Sequence, residues 1–187
     1  KDVGMQVLSQ REAGIKADVV EDGSTFEENA LIKAEEIAKI ARENPEFREA
    51  VILADDSGLE IDYLNKEPGI YSARYMGEDT SYEIKNRALL DRLAGVPDEK
   101  RTARFVCAIA AAFPDGTSRI VRGTMEGIIG HEIAGKNGFG YDPIFFLPEY
   151  GCTSAELSPE KKNELSHRGE GLRKMRGIIR ELESGKR

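Results

Sequence analysis

The longest apolar run in the chain, TARFVCAIAAAF at residues 102–113, is followed at once by PDG and then by SRIVRGTMEGII. An Asp-Gly pair between two strand-like runs is a strong signal for a β-hairpin. We therefore predict two long strands that turn at Asp115-Gly116. A hairpin of this length fixes a β-sheet as one layer of the fold, and the remaining segments must be interpreted around it.

Helical periodicity appears in three other segments, each preceded by a capping signal. The predicted helices span residues 25–43, 80–93 and 168–183. The expected N-terminal caps are Ser24 or Thr25, Thr80, and Ser166. Asn44-Pro45 ends the first helix, because the residue before a proline disfavours helical geometry.

Further strands are predicted outside the hairpin. VILA at 51–54 is too short for a helix and is typical of a buried strand, while 59–63 alternates apolar and polar residues. The glycine-rich stretch GKNGFGYDP leads into another buried strand, IFF, and KDVGMQVLSQ at the start is typical of a helix end followed by a strand. Helices alternating with strands indicate an α/β fold with a mixed β-sheet flanked by helices.

Composition limits the class of protein. The 187 residues are enough for one domain, and 40% hydrophobic with 33% charged residues is ordinary for a globular protein. No run approaches the roughly 18 apolar residues of a membrane span, and no signal-peptide pattern opens the chain, so we expect a cytoplasmic protein. The net charge of -7 argues against binding nucleic-acid polymers, and the two cysteines suggest neither disulfides nor zinc.

Asp55 and Asp56 follow the buried run VILA and precede Ser57-Gly58. We expect them at a tight reversal between two strands. Paired carboxylates there would suit Mg²⁺, which takes oxygen ligands. Alternatively, Asp-Ser-Gly simply forms a turn.

Three other stretches carry polar groups that folding alone does not require. Glu21-Asp22-Gly23 could add a metal ligand, or it is a solvated acidic loop. GFGYDP at 138–143 could stack a nucleobase on its aromatics, or Phe139 and Tyr141 close the core. KKNELSHRGEG at 161–171 could bind an anion, or it is a basic surface of a helix. Acidic metal-type residues, an aromatic loop and a cationic helix start together favour hydrolysis of a nucleotide or another phosphate ester.

Five segments follow one another in order along nearly the whole chain: EDGSTFEENALIKA (21–34), LADDSGLEID (53–62), PGIYSARY (68–75), GFGYDPIFF (138–146) and SHRG (166–169). Together they resemble the inosine/xanthosine triphosphate pyrophosphatase family. The resemblance implies a Mg²⁺-dependent hydrolase that cuts ITP, dITP and XTP between the α and β phosphates. It also implies a homodimer with an elongated mixed sheet and a cleft between two lobes, all within one domain spanning residues 1–187.

The resemblance also implies roles for individual residues. Asp56 would be the general base and a metal ligand, with Glu21 as the second metal ligand and Asp55 in support. The residues implied to contact the nucleotide are Ser57, Phe139, Gly140, Tyr141, Asp142, Lys162, His167 and Arg168. Among these, Phe139 would stack on the base, and the histidine and arginine would lie near the purine 6-oxo group.

The chain departs from the family pattern at its start. The family opens with a strand and a T/S-x-x-N-x-x-K phosphate loop, and nothing before Glu21 supplies one. We expect either that an amino-terminal piece is missing or that the molecule binds triphosphate weakly. Two alternatives to the enzyme stay open. One is a nucleotide-binding protein without turnover, and the other is a related pyrophosphatase acting on other modified or pyrimidine nucleotides.

Overall fold

The computed structural model describes residues 4–185, which contain four α-helices and five strands. The helices are α1 (Phe26–Glu43), α2 (Tyr82–Arg92), α3 (Pro159–Leu165) and α4 (His167–Ser184). The strands are β1 (Ile52–Ile61), β2 (Thr102–Ala112), β3 (Ser118–Ile129), β4 (Phe145–Leu147) and β5 (Cys152–Thr153). The α/β class predicted from the sequence is confirmed.

The strands form one antiparallel sheet in which spatial order follows chain order, β1 to β5. In the register of the later strands, Ile129 pairs with Phe145 and Leu147 with Cys152. The predicted hairpin is confirmed as β2 and β3, with Gly116 at a φ of 86° and the Asp115 carboxylate accepting from the amide of Thr117 at 2.9 Å. A parallel strand, which the expected mixed sheet requires, does not occur among the strands between residues 4 and 185.

The predicted reversal at Asp55–Gly58 is wrong, because β1 continues through it without a break. Asp, Ser and Gly favour turns only as a local preference, and a neighbouring strand overrides that preference by pairing with the backbone. The consequence concerns the two carboxylates directly. Successive side chains of a strand point to opposite faces of the sheet, so Asp55 and Asp56 are directed apart.

Helix starts were predicted closely, with one correction. Thr25 caps α1 by accepting from the Glu28 amide at 3.1 Å, and the Ser166 hydroxyl accepts from the Gly169 amide at 3.0 Å at the start of α4. The predicted Thr80 cap of α2 is wrong, since Ser81 is the N-cap and Thr80 instead donates to the carbonyl of Met76. Helix α3 was not predicted, although its Ser-Pro start is a recognisable signal.

Residues 4–25 contain neither the helix end nor the strand predicted for the beginning of the chain, and residues 1–3 of that prediction lie outside the described part. A turn occupies the region instead, where the amide of Ser9 donates to Glu12 and the amide of Glu12 donates back to the Ser9 hydroxyl. Of the helices in residues 4–185, none has the length and apolarity that crossing a bilayer would require.

The chain divides into two compact units, each built from separate segments. Unit 1 holds Cys107–Gly123 and the described parts of Lys1–Asp56 and Gly171–Arg187, and unit 2 holds Ser57–Val106 and Thr124–Glu170. Each unit has its own apolar core. In unit 1 the core includes Cys107, Ile109 and Met175, and in unit 2 it gathers around Leu59, Leu89, Phe105, Ile144 and Phe145.

Candidate functional site

The acidic group of unit 1 consists of Glu21, Asn29, Lys33 and Asp56. The ammonium of Lys33 lies 2.7 Å from Glu21 Oε1 and 3.9 Å from Asp56 Oδ1, so one cation faces both carboxylates. The side chain of Asp56 is only 15% exposed. Two of the predicted metal ligands, distant in sequence, are therefore brought to a common point.

Asp56 is electrostatically strained in this arrangement. Burial raises the pKa of its carboxyl to about 6, opposed by the nearby Lys33 ammonium and reinforced by the Glu21 charge. Its Oδ2 is buried and has no hydrogen-bond partner among the described residues. A buried carboxylate oxygen without a hydrogen-bond donor has lost its hydrating water, and no protein hydrogen bond offsets that loss. This position is therefore suited to binding a cation from solution.

The charge of the third predicted metal residue, Asp55, also raises the pKa of Asp56. The part of the chain from 4 to 185 contains no cluster of three or more His, Cys, Asp or Glu side chains arranged to hold a metal. Alternation along β1 explains the separation, because Asp55 and Asp56 project from opposite faces. Two protein carboxylates nevertheless suffice for Mg²⁺, which usually completes its coordination with water and substrate phosphate.

Helix α1 contributes two residues that sequence reasoning missed, Asn29 and Lys33. Asn29 is 2% exposed, accepts from the Gly23 amide at 2.8 Å, and its side chain also hydrogen-bonds Asp56, which favours the charged carboxylate. A side chain at Gly23 would lie 2.7 Å from the Asn29 oxygen, so only glycine fits there. The signal was present in the sequence: polar residues four apart in ENALIKA share one helical face with buried alanines.

In unit 2, the loop at Gly138–Asp142 separates its two aromatic residues. Phe139 is 67% exposed, whereas Tyr141 is 4% exposed and donates its hydroxyl hydrogen to the Ser72 carbonyl at 2.5 Å. Burial raises the pKa of the Tyr141 phenol. The sequence left two interpretations of this motif, stacking on a base or closing the core, and each describes one of its aromatic residues. Phe139 can offer its ring face to a ligand, and Tyr141 closes the core.

The loop group, defined as Phe139, Asp142, Ser154 and Lys162, is held together by one buried carboxylate. Asp142 is 2% exposed; its Oδ1 accepts from the Ser154 hydroxyl at 2.6 Å, and its Oδ2 accepts from the Phe139 amide at 2.9 Å and from the Lys162 ammonium. A Cβ at Gly138 would collide with this carboxylate. The Asp142 side chain therefore fixes the loop and Lys162, whose Nζ lies 4.5 Å from the centre of the Phe139 ring.

The remaining predicted residues lie on three elements. His167 is 8% exposed at the start of α4 and stacks on Phe105, and Arg168 follows it with an exposed side chain. Ser57 is a partly buried residue of β1. Gly140 has a φ of 64°, and its carbonyl accepts from the Asn86 amide group at 3.1 Å, so α2 supports the loop from behind.

A pocket of about 360 Å³ opens beside the exposed phenylalanine, within unit 2. Helix α2 forms one wall with Tyr82, Asn86 and Arg87, and the loop around Phe139 forms another. Its volume falls within the roughly 300 to 1,000 Å³ of small-ligand sites. Of the residues predicted to contact the nucleotide, Phe139 and Gly140 line the pocket, whereas Lys162, His167 and Arg168 are absent from its lining as described for residues 4–185.

Comparisons with known proteins agree over nearly the full chain. A model of the Ham1 family matches residues 1–178. A dITP/XTP pyrophosphatase from Clostridium perfringens is 48% identical over 180 residues, covering 96% of this chain and 88% of that protein. One from Exiguobacterium sibiricum is 48% identical over 177 residues, covering 95% and 86%. The solved Ham1 protein of Staphylococcus aureus superposes with a TM-score of 0.85 at 41% identity, covering 97% of this chain and 88% of that one.

Proposed function

We propose that this chain, which belongs to the Ham1 family, hydrolyses deaminated purine nucleoside triphosphates to the monophosphate and pyrophosphate. The substrates would be dITP, XTP and ITP, the first two being those named for its relatives. Such an activity keeps deaminated bases out of nucleic acids. We further propose that the protein is a cytoplasmic homodimer and that, with a net charge of -7, it does not bind nucleic-acid polymers.

The observation that carries the proposal is the acidic group of unit 1. Its donors are carboxylate oxygens, one of which is buried without a partner, and two acids face a single lysine. This donor set fits a hard divalent cation, for which we propose Mg²⁺ held by Asp56 and Glu21. When bound, Mg²⁺ supplies neutralising charge for the triphosphate and acidifies a coordinated water.

Asp56 is our candidate for the general base. An effective base has a pKa near the working pH, and burial has raised that of Asp56 to about 6. Its carboxylate would accept the proton of the attacking water. Lys33, which lies beside both acids, would pair with a phosphate oxygen of the substrate when Asp56 and Glu21 hold Mg²⁺. Asp55 and Ser57, its neighbours in β1, would play supporting and substrate-contacting roles.

Recognition of the base is assigned to the predicted residues of unit 2. Phe139 offers an exposed ring for stacking, with Gly140 and the Tyr141 backbone beside it, while Asp142 holds the loop and Lys162 in position. His167 and Arg168 would donate to the purine 6-oxo group. Adenine presents an amino group there, which would leave those donors unpaired, so ATP should be strongly disfavoured. GTP shares the 6-oxo edge and would have to be excluded through its 2-amino group.

The test is a substrate panel with product analysis. The protein is incubated with Mg²⁺ and with ITP, XTP, dITP, ATP or GTP, and both pyrophosphate and phosphate are measured. We expect pyrophosphate from the deaminated nucleotides, at a kcat/KM at least about 100-fold above that for ATP. Equal rates on ITP and ATP would contradict the specificity, and tight ITP binding without pyrophosphate release would identify a binding protein.

A further inference from the structure

Phe105 lies on β2 and has no part in the activity described so far. We propose that Phe105 is a positioning residue for base selection: its ring fixes the plane of the His167 imidazole and so aims the ring N–H at the 6-oxo group. The inference rests on the proposed base contact of His167. It goes beyond that contact by identifying Phe105 as the residue that orients His167 for it.

The two rings form a close, nearly parallel stack inside unit 2. Their centroids are 5.0 Å apart and their planes differ by 19°. Phe105 is 7% and His167 8% exposed, so the pair is shielded from solvent. The fully buried ring of Phe145 belongs to the same core and lies 4.4 Å from that of Phe105 at 39°, but no ring contact joins it to the imidazole among residues 4–185.

The backbone around His167 is fixed separately from its ring. The amide of Ser166 donates to the Lys162 carbonyl at 2.8 Å, and the Ser166 hydroxyl accepts from Gly169 at 3.0 Å. These bonds set where α4 begins and hence where the Cβ of His167 lies. They leave rotation about the bond between Cβ and the imidazole, which has a broad energy profile in histidine. The flat ring of Phe105, stacked on the imidazole, restricts that rotation.

Ring orientation matters because the N–H groups of an imidazole lie in its plane. A hydrogen bond prefers a donor–hydrogen–acceptor angle above about 150° and weakens steeply once that angle falls below about 120°. Tilting the imidazole would therefore weaken a bond to a 6-oxo acceptor. It would have little effect on ATP, which offers no acceptor at that position. Loss of the stack should thus reduce selectivity for deaminated purines more than it reduces turnover in general.

A purely structural role for Phe105 makes a different prediction, since core packing serves every substrate alike. Phe105→Leu and Phe145→Leu provide a matched pair: the same substitution at two buried phenylalanines of one core, of which Phe105 stacks on the imidazole. We expect Phe105→Leu to lower kcat/KM for ITP about tenfold with little change for ATP. Phe145→Leu should leave the ITP to ATP ratio unchanged. Phe105→Tyr, which keeps the ring, should retain the normal ratio.

Imidazole NMR reads the geometry directly, because the chain contains only two histidines. His131 is 63% exposed beside Asp98 and serves as an internal reference. The Phe105 ring current should shift the ring-proton signals of His167 upfield. In Phe105→Leu these signals should move toward those of an unstacked histidine while His131 stays in place, and in Phe145→Leu they should remain near their original position.

His167→Ala separates this inference from the proposed function. The inference is supported if His167→Ala and Phe105→Leu both lower the ratio of kcat/KM for ITP to that for ATP, and if the His167 ring-proton signals move in Phe105→Leu. If His167→Ala lowers the ratio but Phe105→Leu does not, the positioning role of Phe105 is wrong and the base contact stands. If His167→Ala leaves the ratio unchanged, the base contact and the inference both fail. Should Phe105→Leu not fold, Phe105→Met fills similar volume without a flat face and takes its place.

Discussion

The acidic group of unit 1 and the loop group of unit 2 each centre on a buried aspartate, and the two carboxylates differ in how fully they are hydrogen-bonded. Asp142 receives hydrogen bonds from a hydroxyl, an amide and an ammonium. Asp56 has a buried oxygen without a partner among residues 4–185, shares Lys33 with Glu21, and has a pKa raised to about 6. A satisfied carboxylate fixes structure, whereas an unsatisfied one is suited to a cation and to proton transfer.

Of the substitutions considered, Asp56→Asn in the acidic group should reduce turnover most. It removes both the proposed base and a metal charge, so we expect kcat for ITP to fall about 1,000-fold while the fold is kept. Asp55→Asn is the matched control, since it makes the same change on the opposite face of β1 and should cost less than about tenfold. The measurement is the rate of pyrophosphate release. If kcat falls by a similar factor in both variants, the two aspartates do not have different roles, although they project from opposite faces of β1.

Phe139→Ala tests the unit 2 side. The ring is 67% exposed, so its removal should not change the stability of the fold. Base stacking on an aromatic side chain is worth about 1 to 3 kcal/mol, and we therefore expect KM for ITP to rise about 30-fold with kcat changed much less. Steady-state kinetics separate the two constants. A fall in kcat with an unchanged KM would place Phe139 outside the base site.

Stability should change in opposite directions at the two aspartates. Because the folded-state pKa of Asp56 is raised, its ionised form opposes folding at neutral pH, and Asp56→Asn should stabilise the metal-free protein by on the order of 1 kcal/mol. Asp142→Asn should instead destabilise it by about 2 kcal/mol, since Lys162 loses its buried partner. Urea unfolding of both variants without metal provides the measurement. If both variants lose the same free energy of unfolding, the two aspartates do not differ in their effect on stability.

Binding of Mg²⁺ should depend on pH through Asp56. A proton occupies the raised-pKa carboxyl below about pH 6, and the metal must displace it. The affinity for Mg²⁺ should therefore fall by up to about tenfold per pH unit below pH 6 and level off above it. Isothermal titration calorimetry of Mg²⁺ binding at a series of pH values is the measurement. An affinity that stays constant across pH 6 would show that Asp56 is not the group that titrates.

Elements with strong local signals were predictable from the sequence, and pairings between distant segments were not. The β2–β3 hairpin and helix α1 follow from Asp115-Gly116 and from the cap at Thr25. The continuation of β1 through Asp55 and Asp56 was missed because pairing with another strand, which a linear sequence does not display, outweighs local turn preference.

The same distinction applies to the site residues. Residue types predicted the chemistry of Asp56, Glu21 and Phe139, but not which neighbours complete it. Phe139 and Tyr141 occupy one short motif with nearly identical local signals, and only packing on Ser72 and Tyr82 buries the tyrosine. Lys33 was missed because helical lysines are usually solvated, and its two carboxylate partners come from distant segments.

The most direct test of the contrast between the two aspartates follows backbone amide signals by NMR as Mg²⁺ is added to the nucleotide-free protein. We expect the largest shifts at Glu21, Lys33 and Asp56, and we expect them to disappear in Asp56→Asn. Asp142→Asn should leave them unchanged. Mg²⁺-induced shifts of the same size in Asp56→Asn, or shifts that depend on Asp142, would contradict a metal centre in the acidic group.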